Sequence, residues 1–234
     1  MSKSHKIAAL IVSAGLLAGC AANPADSVPK AGVSSPNAAA SGAPAAQSTT
    51  TPAAVASGAP SASGTPSAAV GTALPLAEGT EVSFLGSKVT GSHNGGFRKV
   101  SGTVTVPEED LNRASIDVTI DMTSVYSDDE KLTQHLSSPD FFDVAKFPTA
   151  TFKSTGLAKS DSGYDVSGDL NLHGVTKGIT FPAQIELNGG ELTAKAEFAI
   201  NRKDFQIVYP GKPDDLIRDE VVIKFDLKAG APQG

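Results

Sequence analysis

The chain has 234 residues, of which 40% are hydrophobic, 6% aromatic and 19% charged, and its formal charge is -6. The first 77 residues hold three Lys and one Asp and so carry +2, which leaves -8 on the remainder, an acidic domain unsuited to neutralising nucleic-acid phosphates. Trp is absent and Cys20 is the one cysteine, which excludes an intramolecular disulfide, a Cys-based zinc site and a thiol nucleophile in a folded domain.

Met1 to Lys6 carries Lys3 and Lys6, and Ile7 to Leu17 is an uncharged apolar run. That run is shorter than the roughly 20 residues that span a bilayer, so 1–19 reads as a cleaved secretory signal. The Leu17-Ala18-Gly19-Cys20 sequence that ends it resembles the bacterial lipobox. The resemblance implies that Cys20 becomes the new N-terminus and is acylated, anchoring the chain to a membrane more firmly than a single myristoyl group would. Ala21 and Ala22, rather than Asp, follow the cysteine; by the same resemblance this favours the outer membrane, on its periplasmic face.

Residues Ala21 to Pro75 are almost entirely Ala, Ser, Pro, Gly and Thr, with Ala-Ser-Gly-Ala-Pro at Ala40 to Pro44 and again at Ala56 to Pro60. All ten Phe and all three Tyr lie beyond residue 80. A segment with no apolar face has nothing to offset its chain entropy, so 20–77 reads as a disordered linker. At about 5 to 6 Å times the square root of n, roughly 55 residues reach about 40 Å, which would let the folded domain work away from the membrane. A glycosylated, mucin-like stalk is the alternative for this composition.

From Glu78 the period changes to two, and 78–234 reads as one mainly antiparallel β domain. Ile116, Val118, Ile120 and Met122 alternate with Asp117, Thr119 and Asp121. Tyr164, Val166, Leu170 and Leu172 do the same, as do the runs Ile179 to Leu187, Leu192 to Ile200 and Val221 to Leu227. Weaker strands are Glu81 to Leu85, Val100 to Val106 and Ala150 to Ser154, and Asn188-Gly189-Gly190 is a hairpin turn. About eight strands result, enough to close a barrel and remove exposed edges. One segment breaks the rhythm: Ser127-Asp128-Asp129-Glu130 has capping-box spacing and predicts a short helix from Asp128 to about Leu136, ahead of Pro139. A second helical turn is expected at Pro213 to Ile217.

His135 to Val144 with Lys146 to Phe152, reading HLSSPDFFDV and KFPTATF, resembles the first signature of the YceI-like family. Asp169 to Lys177 (DLNLHGVTK) resembles its second and Ile200 to Phe205 (INRKDF) its third, in the family's order. The resemblance implies an extended lipocalin-like barrel of eight antiparallel strands. It further implies a secreted binding protein, not an enzyme, whose interior holds a polyisoprenoid or an isoprenoid quinone. The residues expected to line that interior are Phe84, Ile116, Val118, Ile120, Phe141, Phe142, Phe152, Leu170, Leu172, Phe181, Ile185, Phe198, Ile223 and Phe225. From side-chain size alone the choice between a tunnel and a solid core stays open, because small barrels are often packed by their own residues. Phe141-Phe142 is expected to cap the barrel, and the glycine-rich Ser92 to Lys99 and the Val208 to Asp215 loop to sit at a mouth.

Other chemistry is weakly signalled. His93, His135 and His173 are scattered, with no His-x-His or His-Glu-x-x-His spacing, so neither a metal nor a cofactor is expected beyond the lipid ligand. His173 is expected to hydrogen-bond the Gly174 to Lys177 turn. No Gly-x-Ser-x-Gly elbow marks a nucleophile, and no catalytic residue is assigned. Asp128-Asp129, Asp214-Asp215 and Asp219-Glu220 lack the ligand alternation of a calcium loop. The competing reading is a solid barrel on a tether, working as an interaction module with unknown protein partners through its acidic surface.

Overall fold

A computed structural model describes residues 23–36 and 71–230 of the chain. The expected signal peptide and the expected lipidation site, Cys20, lie outside the described residues. In chain order the strands are β1 (Gly32–Ser34), β2 (Thr72–Pro75), β3 (Glu81–Lys88), β4 (Gly91–Phe97), β5 (Val100–Val106), β6 (Ser115–Asp121), β7 (Val125–Ser127), β8 (Thr149–Ser160), β9 (Gly163–Leu172), β10 (Val175–Asn188), β11 (Glu191–Asn201), β12 (Gly211–Lys212), β13 (Asp215–Leu216) and β14 (Glu220–Ala229). One helix, α1 (Glu130–Leu136), interrupts them.

Twelve strands build one antiparallel sheet in the order β2-β5-β6-β8-β9-β10-β11-β14-β3-β4-β7, with β1 beside β10, curled into a half-barrel; β12 and β13 pair apart from it. Where it closes, Leu76 donates its amide to the Gly102 carbonyl of β5 at 3.0 Å, and Ala77 donates to the Lys228 carbonyl of β14 at 2.7 Å. The period of two sets the faces. On β6, Ile116 and Val118 are buried while Asp117 and Thr119 are exposed. The β10–β11 hairpin turns through Gly189 (φ 59°) and Gly190 (φ 86°), a left-handed pair that only glycine adopts freely. All eight strands expected from the alternation are present.

β4 is a further strand that alternation does not reveal. It reads Gly-Ser-His-Asn-Gly-Gly-Phe and pairs with β3 along its whole length. Its glycines admit two rings. A Cβ on Gly95 would stand 2.4 Å from the Phe84 ring, and one on Gly96 would stand 2.7 Å from the Tyr126 hydroxyl.

Two local expectations are corrected. α1 begins at Glu130 and its cap is Asp129, whose carboxylate accepts from the Leu132 amide at 2.8 Å. Ser127 does not cap it, because its hydroxyl donates to the Asp129 carbonyl at 2.7 Å instead. Residues Pro213 to Ile217 make no helical turn; β12 and β13 form a small hairpin there, Gly211 opposite Leu216.

The largest departure lies in the segment read as a disordered linker over 20–77. Residues 23–36 and 71–77 within it belong to the fold. Pro24–Ser27 forms a 3-10 turn that seats Ala25, 1% exposed, on Ala199, Val222 and Leu85 at the outer face of β11, β14 and β3. β1 then enters a gap in the sheet. β10 and β11 pair only from Asn188↔Glu191 to Gln184↔Lys195. Beyond that point Gly32–Ser34 pair with Thr180–Gly178 of β10, while Ala31 donates to the Ala199 carbonyl at 2.9 Å and Ala199 to that of Pro29 at 2.8 Å. Backbone pairing needs no apolar side chain, which is why a sequence this poor in them still joins the sheet.

Candidate functional site

The inward faces of the strands surround an apolar cavity of about 190 Å³. Ligand pockets commonly measure about 300–1,000 Å³, and this cavity falls below that range, leaving room for a slim group. Thirty residues line it; apart from Gly86 and Arg202 every one is apolar, and eight are Phe. The structure places Phe84, Ile116, Val118, Ile120, Phe141, Phe142, Phe152, Leu170, Leu172, Phe181, Ile185, Phe198, Ile223 and Phe225 all on this one surface. Between these side chains the interior keeps an apolar cavity.

The aromatic rings form two groups. Phe152, Phe181, Phe198 and Phe225 meet in mid-barrel, with Phe225 edge-on to Phe181 at 5.4 Å. At the end nearer α1, Phe142 stands 6.0 Å from Phe84 and 5.8 Å from Phe97. Phe141 leans on His135 at 4.9 Å and Tyr209 at 5.3 Å. Phe141 and Phe142 both face the cavity, as they can because they lie in a turn, where adjacent side chains need not point to opposite faces.

Arg202 is the residue that motif reading passed over. It is 4% exposed, and its guanidinium donates to the carbonyls of Ile207 at 2.6 Å, Arg218 at 3.1 Å and Ile217 at 3.4 Å, and to the Asp219 carboxylate at 3.3 Å. Burial pulls it below its ordinary value, and Asp219 opposes that. Ile207 and Ile217 line the cavity, so Arg202 ties the 206–219 loop across the barrel end. Sequence carries little signal for it, since Arg202 lies among the polar Asn201, Lys203 and Asp204 and its acceptors are mostly carbonyls that sequence does not single out.

The remaining polar candidates hold loops. His173 donates to, or accepts through, no group of the Gly174–Lys177 turn; its Nδ1 lies 3.1 Å from the Phe205 carbonyl, and its ring packs on Phe147 at 4.7 Å. His135 Nε2 meets Asp140 at 2.9 Å and His93 Nδ1 meets Asp128 at 2.8 Å. The Asn94 amide and the His93 ring hold the Asp128 carboxyl below its ordinary value, and Lys88 and Thr90 do the same for Asp215. Among the described residues no cluster of three or more His, Cys, Asp or Glu could hold a metal ion.

Comparison with known proteins adds the following. Protein YceI of Escherichia coli O157:H7 is 38% identical over 119 residues, covering 48% of this chain and 62% of that protein. Protein YceI of Salmonella arizonae is 37% identical over the same coverage, so the match spans less than two thirds of these relatives' length. Among solved structures, Burkholderia cenocepacia BcnA superposes with a TM-score of 0.59 at 30% identity, covering 64% of this chain and 96% of that one. A polyisoprenoid-binding domain from Saccharophagus degradans, implicated in plant cell wall breakdown, shares the fold with a TM-score of 0.56 at 20% identity, covering 69% and 99%. The family model described as the YceI-like domain matches residues 76–229, and by that match this chain belongs to the YceI-like family.

Proposed function

We propose that this protein is a lipoprotein of the cell envelope whose barrel binds, and sequesters or carries, a long apolar isoprenoid lipid of the polyprenol or quinone type. The observation that carries the reading is the cavity, lined by thirty residues of which one is charged. Such a surface recognises its ligand by apolar area, worth about 25 cal/mol per Å² before ordering costs. Affinity therefore rises with chain length and depends little on the headgroup. The polyisoprenoid-binding domain of Saccharophagus degradans, which has this fold, supports the choice of ligand. The lipobox-like Leu17 to Cys20 supports anchoring through an acylated Cys20, with the outer membrane facing the periplasm as its place. The role is binding, with no catalytic residue.

The test is native mass spectrometry of the protein secreted to the periplasm and purified without detergent, followed by organic extraction. A bound species with isoprene-spaced mass supports the reading and identifies the lipid. A clean apo mass, with no uptake of added ubiquinone or polyprenol, overturns it in favour of an interaction module.

A further inference from the structure

A linker of the expected length would let the barrel tumble freely about its anchor, but the structure leaves no such freedom. Asn23 is already part of the fold: its side-chain oxygen accepts from the buried Ser87 hydroxyl at 3.3 Å and from the Ala25 amide at 3.3 Å. Three residue steps separate Cys20 from Asn23, at most about 11 Å of extended chain. The place where Asn23 leaves the barrel therefore lies close to whatever holds Cys20.

The surface at that place is unusual. Ser87 begins the tip of the β3–β4 hairpin, and this tip rests on the β12–β13 hairpin: Val89 donates its amide to the Leu216 carbonyl at 3.1 Å, and Arg218 donates to that of Ser87 at 2.9 Å. Four large apolar residues are exposed among the described residues, and three of them are here or on the adjoining loop: Val89 at 53%, Leu216 at 49% and Val208 at 62%. Directly beneath them, half-buried Gly86 and Ile217 line the end of the cavity. Charges of both signs surround the patch, Lys88 and Lys212 beside Asp214 and Asp215, so no net field draws it to a polyanion.

We propose that the barrel docks end-on against the leaflet that holds its own anchor, with Val89, Val208 and Leu216 seated in the lipid interface and the Gly86–Ile217 end of the cavity facing the bilayer. The proposal rests on the reading that Cys20 is acylated. The occupant is the lipid surface: the chain length from Cys20 leaves nothing else so near, and isolated apolar side chains amid mixed charge suit the acyl–headgroup boundary. A lipid ligand then passes between leaflet and cavity without crossing water, and the attachment through Asn23, Ala25 and β1 sets the barrel's orientation.

The chain lacks Trp, so one introduced Trp is a background-free reporter. Val89→Trp and Leu216→Trp are compared with Asn188→Trp, at the β10–β11 turn of the opposite end, in the full chain acylated at Cys20 and reconstituted in phosphatidylethanolamine–phosphatidylglycerol vesicles carrying brominated acyl chains. Residues 89 and 216 are expected to lose about half of their emission and residue 188 almost none, with little dependence on salt. Equal quenching at both ends, or none at either, overturns the proposal. The mass of the chain reports acylation separately. If Cys20 is not acylated, the anchoring reading fails by itself, and coupling the thiol to a maleimide phospholipid still decides the orientation. As a second measure, Val89→Asp with Leu216→Asp slows extraction of ubiquinone from vesicles at least tenfold and leaves uptake from detergent solution unchanged; unchanged extraction also overturns the proposal.

Discussion

Phe181 of β10 and Phe198 of β11 stack face to face, their ring centroids 4.2 Å apart and their planes 6° from parallel. Each lies three residues beyond Gln184 and Lys195, the last pair that the two strands make with each other. On the inner face the rings hold together strands that have parted, while β1 fills the gap between their backbones. The stack is thus both a wall of the cavity and a clamp on its seam. Phe198→Ala is expected to destabilise the domain by about 3 kcal/mol, measured by urea denaturation. A loss below about 1 kcal/mol would mean that the ring faces empty space rather than bearing on Phe181.

The second prediction concerns Gly95. The Phe84 ring occupies the space where a Cβ at this position would go, and Phe84 is in turn one of the rings around Phe142 at the barrel end. Gly95→Ala is expected to cost about 1–3 kcal/mol by overpacking and to push Phe84 further into the cavity. Thermal denaturation reads the first effect, and weaker binding of added polyprenol reads the second. A Cβ there also meets the Tyr126 carbonyl oxygen at 2.7 Å, so Gly95→Ala plus Phe84→Leu is expected to restore binding and only part of the stability.

The same region shows what could be read without a structure. Strands whose inward residues alternate with Asp, Thr or Ser announce themselves by period, and with them came twelve of the fourteen expected cavity residues, all but Phe141 and Phe142 of the turn after α1. β4 did not, because what places Gly95 and Gly96 in a strand is the room that Phe84 and Tyr126 need, a relation between residues far apart in the chain. β1 was hidden for a different reason. Gly32, Val33 and Ser34 are all exposed and contribute backbone hydrogen bonds, which leave no mark on composition. The cavity was likewise open from residue sizes, since whether Ala183 and Ala194 meet a neighbour or a void depends on the curvature of the sheet.

Because β1 completes the sheet, its removal is expected to expose edges. Deleting residues 23–36 leaves Ala199 without its acceptor, the Pro29 carbonyl, and opens β10 along Gly178–Thr180. The expected result is fast hydrogen exchange at the Ala199 amide and concentration-dependent self-association through the open edges, as unpaired strands invite. Ala25→Glu tests the same seat more gently: a carboxylate forced against Ala199 and Val222 costs about 2 kcal/mol. A monomeric deletion variant with Ala199 still protected would show that β10 and β11 close on each other without β1.

Acid acts on the end of the barrel where Asn23 meets Ser87, through Asp215. Its carboxylate accepts from Lys88 at 2.5 Å and from the Thr90 hydroxyl and amide at 2.9 and 3.2 Å, joining the β3–β4 tip to the β12–β13 hairpin over the cavity end. Lys88 first and Thr90 next hold its pKa below the ordinary 3.8. The sign follows from that direction. A carboxyl whose folded pKa is depressed stabilises the fold fully above its unfolded value, and loses that contribution as pH falls through the folded one. Thr123 and Lys99 depress Asp121 in the same sense, as Asn94 and His93 depress Asp128, so the three contributions fade together in acid. Release of bound ubiquinone should accordingly be constant at neutral pH and quicken below about pH 4. Asp215→Asn, which keeps the shape and removes the charge, should release faster at pH 7 and respond less to acid, as a stopped-flow transfer assay would read. If Asp215→Asn releases at the parent rate, the two hairpins do not govern the cavity end.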